Sequence, residues 1–160
     1  MSTTAPTRYS MPQIAIHWLV VLLVIFNWLT GEPMAKLFDQ RLETGAPPYL
    51  TPHAVAGALV LALLLARLVL RRTHGAPAPV VAPVWMMTAA RLGHAALYLL
   101  LALVPASGAA AWFLASETAG EAHKVLFTLL LVVALIHAAA AIWHQLVLKD
   151  GTLTRMSLRR

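Results

Sequence analysis

The chain has 160 residues, of which 60% are hydrophobic and 11% charged, and its mean hydropathy of +0.75 excludes an ordinary soluble domain in favour of a membrane protein. The absence of cysteine excludes disulfides, thiolate metal sites, iron–sulfur clusters and haem attached through Cys-x-x-Cys-His. A net charge of +6 would suit nucleic acid, but the placement of the charges reads as topology and lipid-headgroup contact, and no nucleic-acid partner is expected.

Four apolar spans follow one another, each close to the ~20 residues that cross ~30 Å of hydrocarbon. The first, 13–31, begins QIAIHWLVVLLVIFNWLT and carries His17 in its early turns. Arg8 ahead of it could be the basic region of a signal peptide. The run is long, however, contains His17 and Asn27, and lacks an A-x-A-like cleavage site, so the span is expected to be retained. A polar, proline-bearing connection (31–52) leads to the second span, 53–70, which opens on His53 and is interrupted near its end by Arg67. The next connection, RRTHGAPAPVVAPV (71–84), is Pro/Ala-rich and expected to be extended. The third span, 90–114, has His94 just inside its start, and the fourth, 120–148, follows the short SETAGE and carries His123, His137 and His144. With no internal repeat and no separate domain, the reading is an all-α integral membrane four-helix bundle forming one transmembrane domain over 1–160.

Charge sets the orientation. Residues 1–12, 67–91 and 149–160 hold nine of the twelve Lys and Arg, whereas the other two connections hold five of the six acids. The positive-inside rule then places both termini and the middle connection in the cytoplasm, N-in and C-in, as an even number of spans requires.

Ionisable groups inside a bilayer are costly, so each marks a candidate site. His123 and His137 are 14 residues apart on the fourth span. That is ~21 Å along a helix axis and nearly four full turns, so the two imidazoles share one face at two depths. His17 is at the depth of His137, and His53 at that of His123. His144 competes with His137 for phase but lies ~31 Å from His123, at the hydrocarbon edge. Two bis-histidine sites stacked across the membrane result. Zinc would want a third or fourth protein ligand. A haem needs two axial ligands and an apolar slot between helices. Gly57, one turn after His53, is placed to let a porphyrin approach, with close helix packing as the other explanation. Arg67, 14 residues after His53, is placed to meet a propionate, with snorkelling to lipid phosphate as its alternative. Arg91, His94, His144 and Lys149 gather at the cytoplasmic edge as candidates for quinone or propionate contacts, and His74 is expected to be solvated.

Together Tyr9-Ser10…Gln13…His17-Trp18, His53-x-x-x-Gly57, Met86-Met87-Thr88…Leu92-Gly93-His94…Tyr98 and His137…His144…Lys149-Asp150-Gly151-Thr152-Leu153 resemble the bacterial cytochrome b561 family over nearly the whole chain. The resemblance implies an inner-membrane protein with two haem b groups that exchanges electrons with ubiquinone or menaquinone, and it puts the axial ligands on His17, His53, His123 and His137. The expected activity is a haem-dependent quinone oxidoreductase that takes electrons from a periplasmic donor; bacterial relatives have been linked to superoxide in this role. The alternative is a cytochrome b subunit anchoring a dehydrogenase or hydrogenase. A remoter one is a histidine-lined metal transporter, against which stands the lack of Asp and Glu in the helix interiors. Six-coordinate iron leaves outer-sphere transfer of single electrons as the competent chemistry.

Overall fold

The computed structural model describes residues 8–77 and 82–157. Five α-helices follow in order: α1 (Met11–Leu29), α2 (Gly31–Thr44), α3 (Pro52–Thr73), α4 (Val84–Leu114) and α5 (Glu117–Trp143). α5 runs on through a π-helical turn at His144–Leu148, and a 3-10 turn at Leu153–Met156 closes the described chain. There is no strand among the described residues. Helices α1, α3, α4 and α5 are long and apolar enough to cross a membrane.

Each of these four helices overlaps one expected span: α1 starts and ends two residues earlier than 13–31, whereas α3, α4 and α5 start earlier than 53, 90 and 120. Pro52 starts α3 at the first helical position, where a missing N–H costs nothing, and the Thr51 hydroxyl accepts from the Ala54 amide. α4 begins at Val84, six residues before the expected start, because Pro83 caps a segment that is helical from its first apolar residue. The polar connection 31–52 contains a helix, α2, that was not anticipated. Pro33 reads as punctuation in sequence, but it sits in the first turn of α2, where proline is accommodated. Gly45 ends α2 in the left-handed region at φ 66°, a conformation that glycine adopts without strain. The Pro/Ala-rich connection is described only at its ends. Residues 78–81 lie outside the described residues, as do Arg159 and Arg160 of the basic terminus.

Packing divides the spans into two halves. α1 lies along α3, α4 lies along α5, and α3 joins the halves by packing on α4. The core is small: Leu100, Val104 and Leu130 between α4 and α5, with Ala56, Val60 and Leu64 buried on α3. Leu65, Leu114 and Leu135 stand outward with more than half of their surface exposed. Such a surface is stable against lipid, where the helical backbone satisfies its own hydrogen bonds.

Both ends of the described chain, near Arg8 and Ser157, gather at one end of the bundle, called here the terminal end; α2 marks the opposite, loop end. The buried Gln13 ties the start of α1 to the end of α3. Its Oε1 accepts from the Ser10 amide and hydroxyl, both at 3.0 Å, and its Nε2 donates to the Gly75 carbonyl at 3.0 Å. The C-terminal segment folds back on α1. Arg8 donates to the Thr154 carbonyl at 2.9 Å and Trp18 Nε1 to the Met156 carbonyl at 3.2 Å. Asp150 organises this segment. Its carboxylate accepts from His144 Nδ1 and, at 2.6 and 3.0 Å, from the hydroxyl and amide of Thr152.

Burial pushes the Asp150 carboxyl up, but the hydrogen bonds from Thr152 and His144 together hold it below its ordinary value of 3.8. A carboxyl with a depressed folded pKa contributes stability above its unfolded value and loses it as pH falls through the folded one. Asp150→Asn should therefore reduce the amide protection of 150–156 about tenfold at neutral pH, given the strength of hydrogen bonds to a charged acceptor. Wild type should show the same loosening only below its lowered pKa. Equal protection in variant and wild type at neutral pH would contradict this role.

Candidate functional site

Helix α5 presents two imidazoles along its length, and each meets a ring from the other half of the bundle. Near the loop end, the His53 and His123 ring centroids are 6.2 Å apart with planes at 74°. Near the terminal end, His17 and His137 are 6.5 Å apart with planes at 65°. Neither α1 and α5 nor α3 and α5 are among the closely packed helix pairs, so imidazoles make these contacts where backbones stay apart.

The loop-end rings are held by their outer nitrogens. His123 Nδ1 lies 2.8 Å from the Val104 carbonyl on α4. A carbonyl only accepts, so Nδ1 carries the hydrogen and Nε2 keeps a free lone pair. His53 Nδ1 lies 3.0 Å from Thr30 Oγ1, and the Thr30 hydroxyl itself donates to the Phe26 carbonyl at 2.9 Å. With its one hydrogen committed, Oγ1 accepts from His53, which fixes the same tautomer. Among the described residues no hydrogen-bond acceptor meets His17 or His137.

His94 joins the terminal-end pair. Its ring centroid is 5.2 Å from that of His137, and its Nδ1 donates to the Ala90 carbonyl at 2.7 Å. Arg67 reaches the same level from α3, and its charge acts on His17, His94 and His137. Its Nε donates to the Tyr98 hydroxyl at 3.3 Å, while its Nη1 is buried without a partner among the described residues. His144 stands apart from these rings, bound to Asp150. Arg91 and Lys149 are exposed at the terminal end, and His74 is exposed beside Thr73.

Gly57 is not a close-packing glycine: a Cβ built there meets no other residue within 4 Å. Close approach occurs instead at Gly108, which sequence reading did not single out. A Cβ at 108 would stand 2.9 Å from His123 Cε1 and 3.0 Å from Nδ1, so only glycine lets α4 lie against that ring. The available signal was a glycine inside a long helix, where it needs a packing reason. Thr30 and the Val104 carbonyl also escaped notice, the first as a span-end residue and the second as a main-chain group.

No group of three or more His, Asp or Glu is arranged to hold a metal ion among the described residues. Gly108→Ala should cost about 1–3 kcal/mol by forcing the His123 ring away from Val104, in the range of overpacking substitutions. Thermal unfolding reads the loss; unchanged stability would mean that the ring has room to move.

The prokaryotic cytochrome b561 family model matches residues 8–157. Cytochrome b562 of Cereibacter sphaeroides is 39% identical over 157 residues, covering 96% of this chain and 97% of that protein. The probable superoxide oxidase CybB of Yersinia pestis is 32% identical over 176 residues, with 93% and 95% covered. Cytochrome b561 homolog 1 of Escherichia coli is 29% identical over 178 residues, with 96% and 98% covered. Matched over residues 8–157 and built on four helices long and apolar enough to span a membrane, the chain belongs to the prokaryotic cytochrome b561 family, membrane redox proteins of the haem b class.

Proposed function

We propose that this chain is a di-haem cytochrome of the bacterial inner membrane that carries electrons from a periplasmic donor to quinone. The observation that carries the reading is the separation of the two imidazole pairs. A metal–imidazole bond is about 2 Å, and with the radius of each ring this puts the centroids of two trans imidazoles about 6.4 Å apart. The pairs lie at 6.2 and 6.5 Å. By the same measure His94, at 5.2 Å from His137, is too near to be its trans partner and belongs beside the site.

The surrounding residues fit a porphyrin. Gly57 offers a surface with no protein neighbour at the loop-end pair, and Arg67 has a buried Nη1 free for a propionate at the other. A haem held by these imidazoles would supply one-electron transfer. The chain's own task is to hold the rings, exclude water with the apolar faces of α3, α4 and α5, and set the distance between the two levels.

The basic residues at the terminal end support placing it in the cytoplasm and the loop end in the periplasm. His94, His144, Arg91 and Lys149 are then the candidates for the quinone headgroup at the cytoplasmic edge. Of these, His144 has its Nδ1 committed to Asp150, which orients its other nitrogen for hydrogen bonding. Superoxide is the donor suggested by the name of the Yersinia relative. The alignment with that protein spans 176 positions against the 160 of this chain, and α4 and α5 are joined here through only Ala115 and Ser116. A donor surface built on a longer connection is therefore not carried over.

The test is haem content with reduced-minus-oxidised spectra. Wild type should bind two b haems. His17→Ala and His137→Ala should each remove one, His53→Ala and His123→Ala the other. Gly57→Leu should weaken the haem at His53 and His123, since the Cβ position there is open, with no other residue within 4 Å. A wild-type preparation with one haem, or the same haem lost from all four variants, would refute the paired assignment.

A further inference from the structure

Away from the imidazole pairs, the loop end holds a cleft between α2 and the end of α4. Its volume is about 210 Å³, and Leu37, Gln40, Arg41, Thr44, Tyr49 and Trp112 are among the residues that line it. One wall is fixed. Trp112 is 3% exposed, and its Nε1 donates to the Tyr49 carbonyl at 2.7 Å. The Tyr49 ring stands edge-on to the indole, with centroids 5.6 Å apart and planes at 82°. The Arg41 guanidinium lies over the same indole, 5.6 Å from its centroid, where the ring face attracts a cation. α2 is anchored beside the cleft. Phe38 packs so tightly on Gly120 that a Cβ there would stand 2.9 Å from the ring, and Met34 Sδ accepts from the Thr51 hydroxyl at 3.4 Å.

Arg41 differs from the other cations at this end. Lys36 is paired with Glu32 at 2.9 Å and Lys124 with Glu121 at 2.7 Å. The Arg41 side chain has no ion pair and no hydrogen bond among the described residues, and its Nε is buried. Its helical neighbours three and four residues away are Leu37, Phe38, Thr44 and Gly45, so no carboxylate of α2 is placed to reach it. A guanidinium stacked on an immobile ring, with its N–H fork uncommitted beside a cleft, suits an oxyanion, and phosphate accepts such paired N–H bonds well. The cleft is several times the ~30 Å³ that a water occupies in the liquid, so a diatomic anion would leave most of it empty. Its depth points to the source of the phosphate. Trp112 is two residues from the end of α4, where that span leaves the hydrocarbon and where amphipathic rings meet headgroups. Leu50, next to Tyr49, and Leu114, next but one to Trp112, are 73% and 76% exposed, an apolar rim that acyl chains would cover.

We propose that this cleft is a phospholipid site, in which Arg41 binds the headgroup phosphate against Trp112 while the acyl chains lie over the apolar side chains at the end of α4. The site is independent of how many haems the chain holds, and it lies in the leaflet opposite to the one that meets the basic terminal end. An occupied site ties α2 to the membrane surface.

The experiment is native mass spectrometry of the full-length protein in detergent, titrated with phosphatidylglycerol. Wild type should bind one phosphatidylglycerol at this site in preference to a diacylglycerol, which lacks the phosphate. Arg41→Gln should weaken that binding about tenfold, as expected for the loss of hydrogen bonds between charged groups. Ala46→Trp places bulk in the cleft, which Ala46 also lines, while keeping the guanidinium, and should weaken it as far. Arg72→Gln, an exposed position at the terminal end, should leave it unchanged. Visible haem spectra matching wild type show that each variant is folded. Equal lipid affinity in wild type and a folded cleft variant, or the same loss in Arg72→Gln, overturns the site. Displacement of the lipid by an equimolar amount of inorganic phosphate makes a free anion the occupant and overturns the lipid assignment. If Arg41→Gln does not fold, Ala46→Trp still decides.

Discussion

Helix α5 is the rule against which the rest of the molecule is measured. It carries His123 and His137 on one face, and a continuous hydrogen-bonded helix cannot change either their spacing or their relative phase without breaking its ladder. Everything across from it must conform. α3 has to bring His53 to one level and α1 has to bring His17 to the other, although these two helices reach α5 through side chains rather than through close backbone packing. The lateral packing of α1 on α3 and α4 on α5 is thus a means of holding four rings at two heights.

That frame explains where reading the sequence succeeds. Spans and histidine levels are periodic properties, and the 14-residue interval converts directly into depth and phase. In the structure His144 turns to Asp150 and His137 faces His17, at the two places that the depth argument distinguishes. Other features are not periodic and were not legible. α2 lies in a polar segment whose proline looked like a breaker but occupies a first turn. Gly108 matters only because of the ring that packs against it, a contact 15 residues away in sequence. Gly57 stands out in sequence with close packing as one explanation, and the open space around its Cβ position removes that explanation.

The terminal end shows how little polar structure is needed to order a membrane bundle where it leaves the hydrocarbon. One buried amide, Gln13, joins three chain segments: the Ser10 turn, the end of α3 and the Gly75 turn. An arginine and an indole then fix the last described residues to α1. Buried amides of this kind are retained only when their hydrogen bonds are made, and here both the oxygen and the nitrogen of the side chain have partners. The resemblance of the Tyr9-Ser10…Gln13 stretch to the family pattern thereby acquires a physical meaning as a joint between helices.

The two acceptors that orient the loop-end imidazoles differ in kind, and this bears on how the protein can change over time. Thr30 supplies its oxygen from a side chain, so a single codon change can weaken, remove or restore it. Val104 supplies its oxygen from the main chain, which every amino acid carries. Substitution at 104 alters bulk but leaves the acceptor, and only a change that shifts the helix or crowds the ring, as at Gly108, can withdraw it. One half of the surroundings of these imidazoles is therefore open to gradual adjustment by point mutation, while the other is protected from it by the backbone itself.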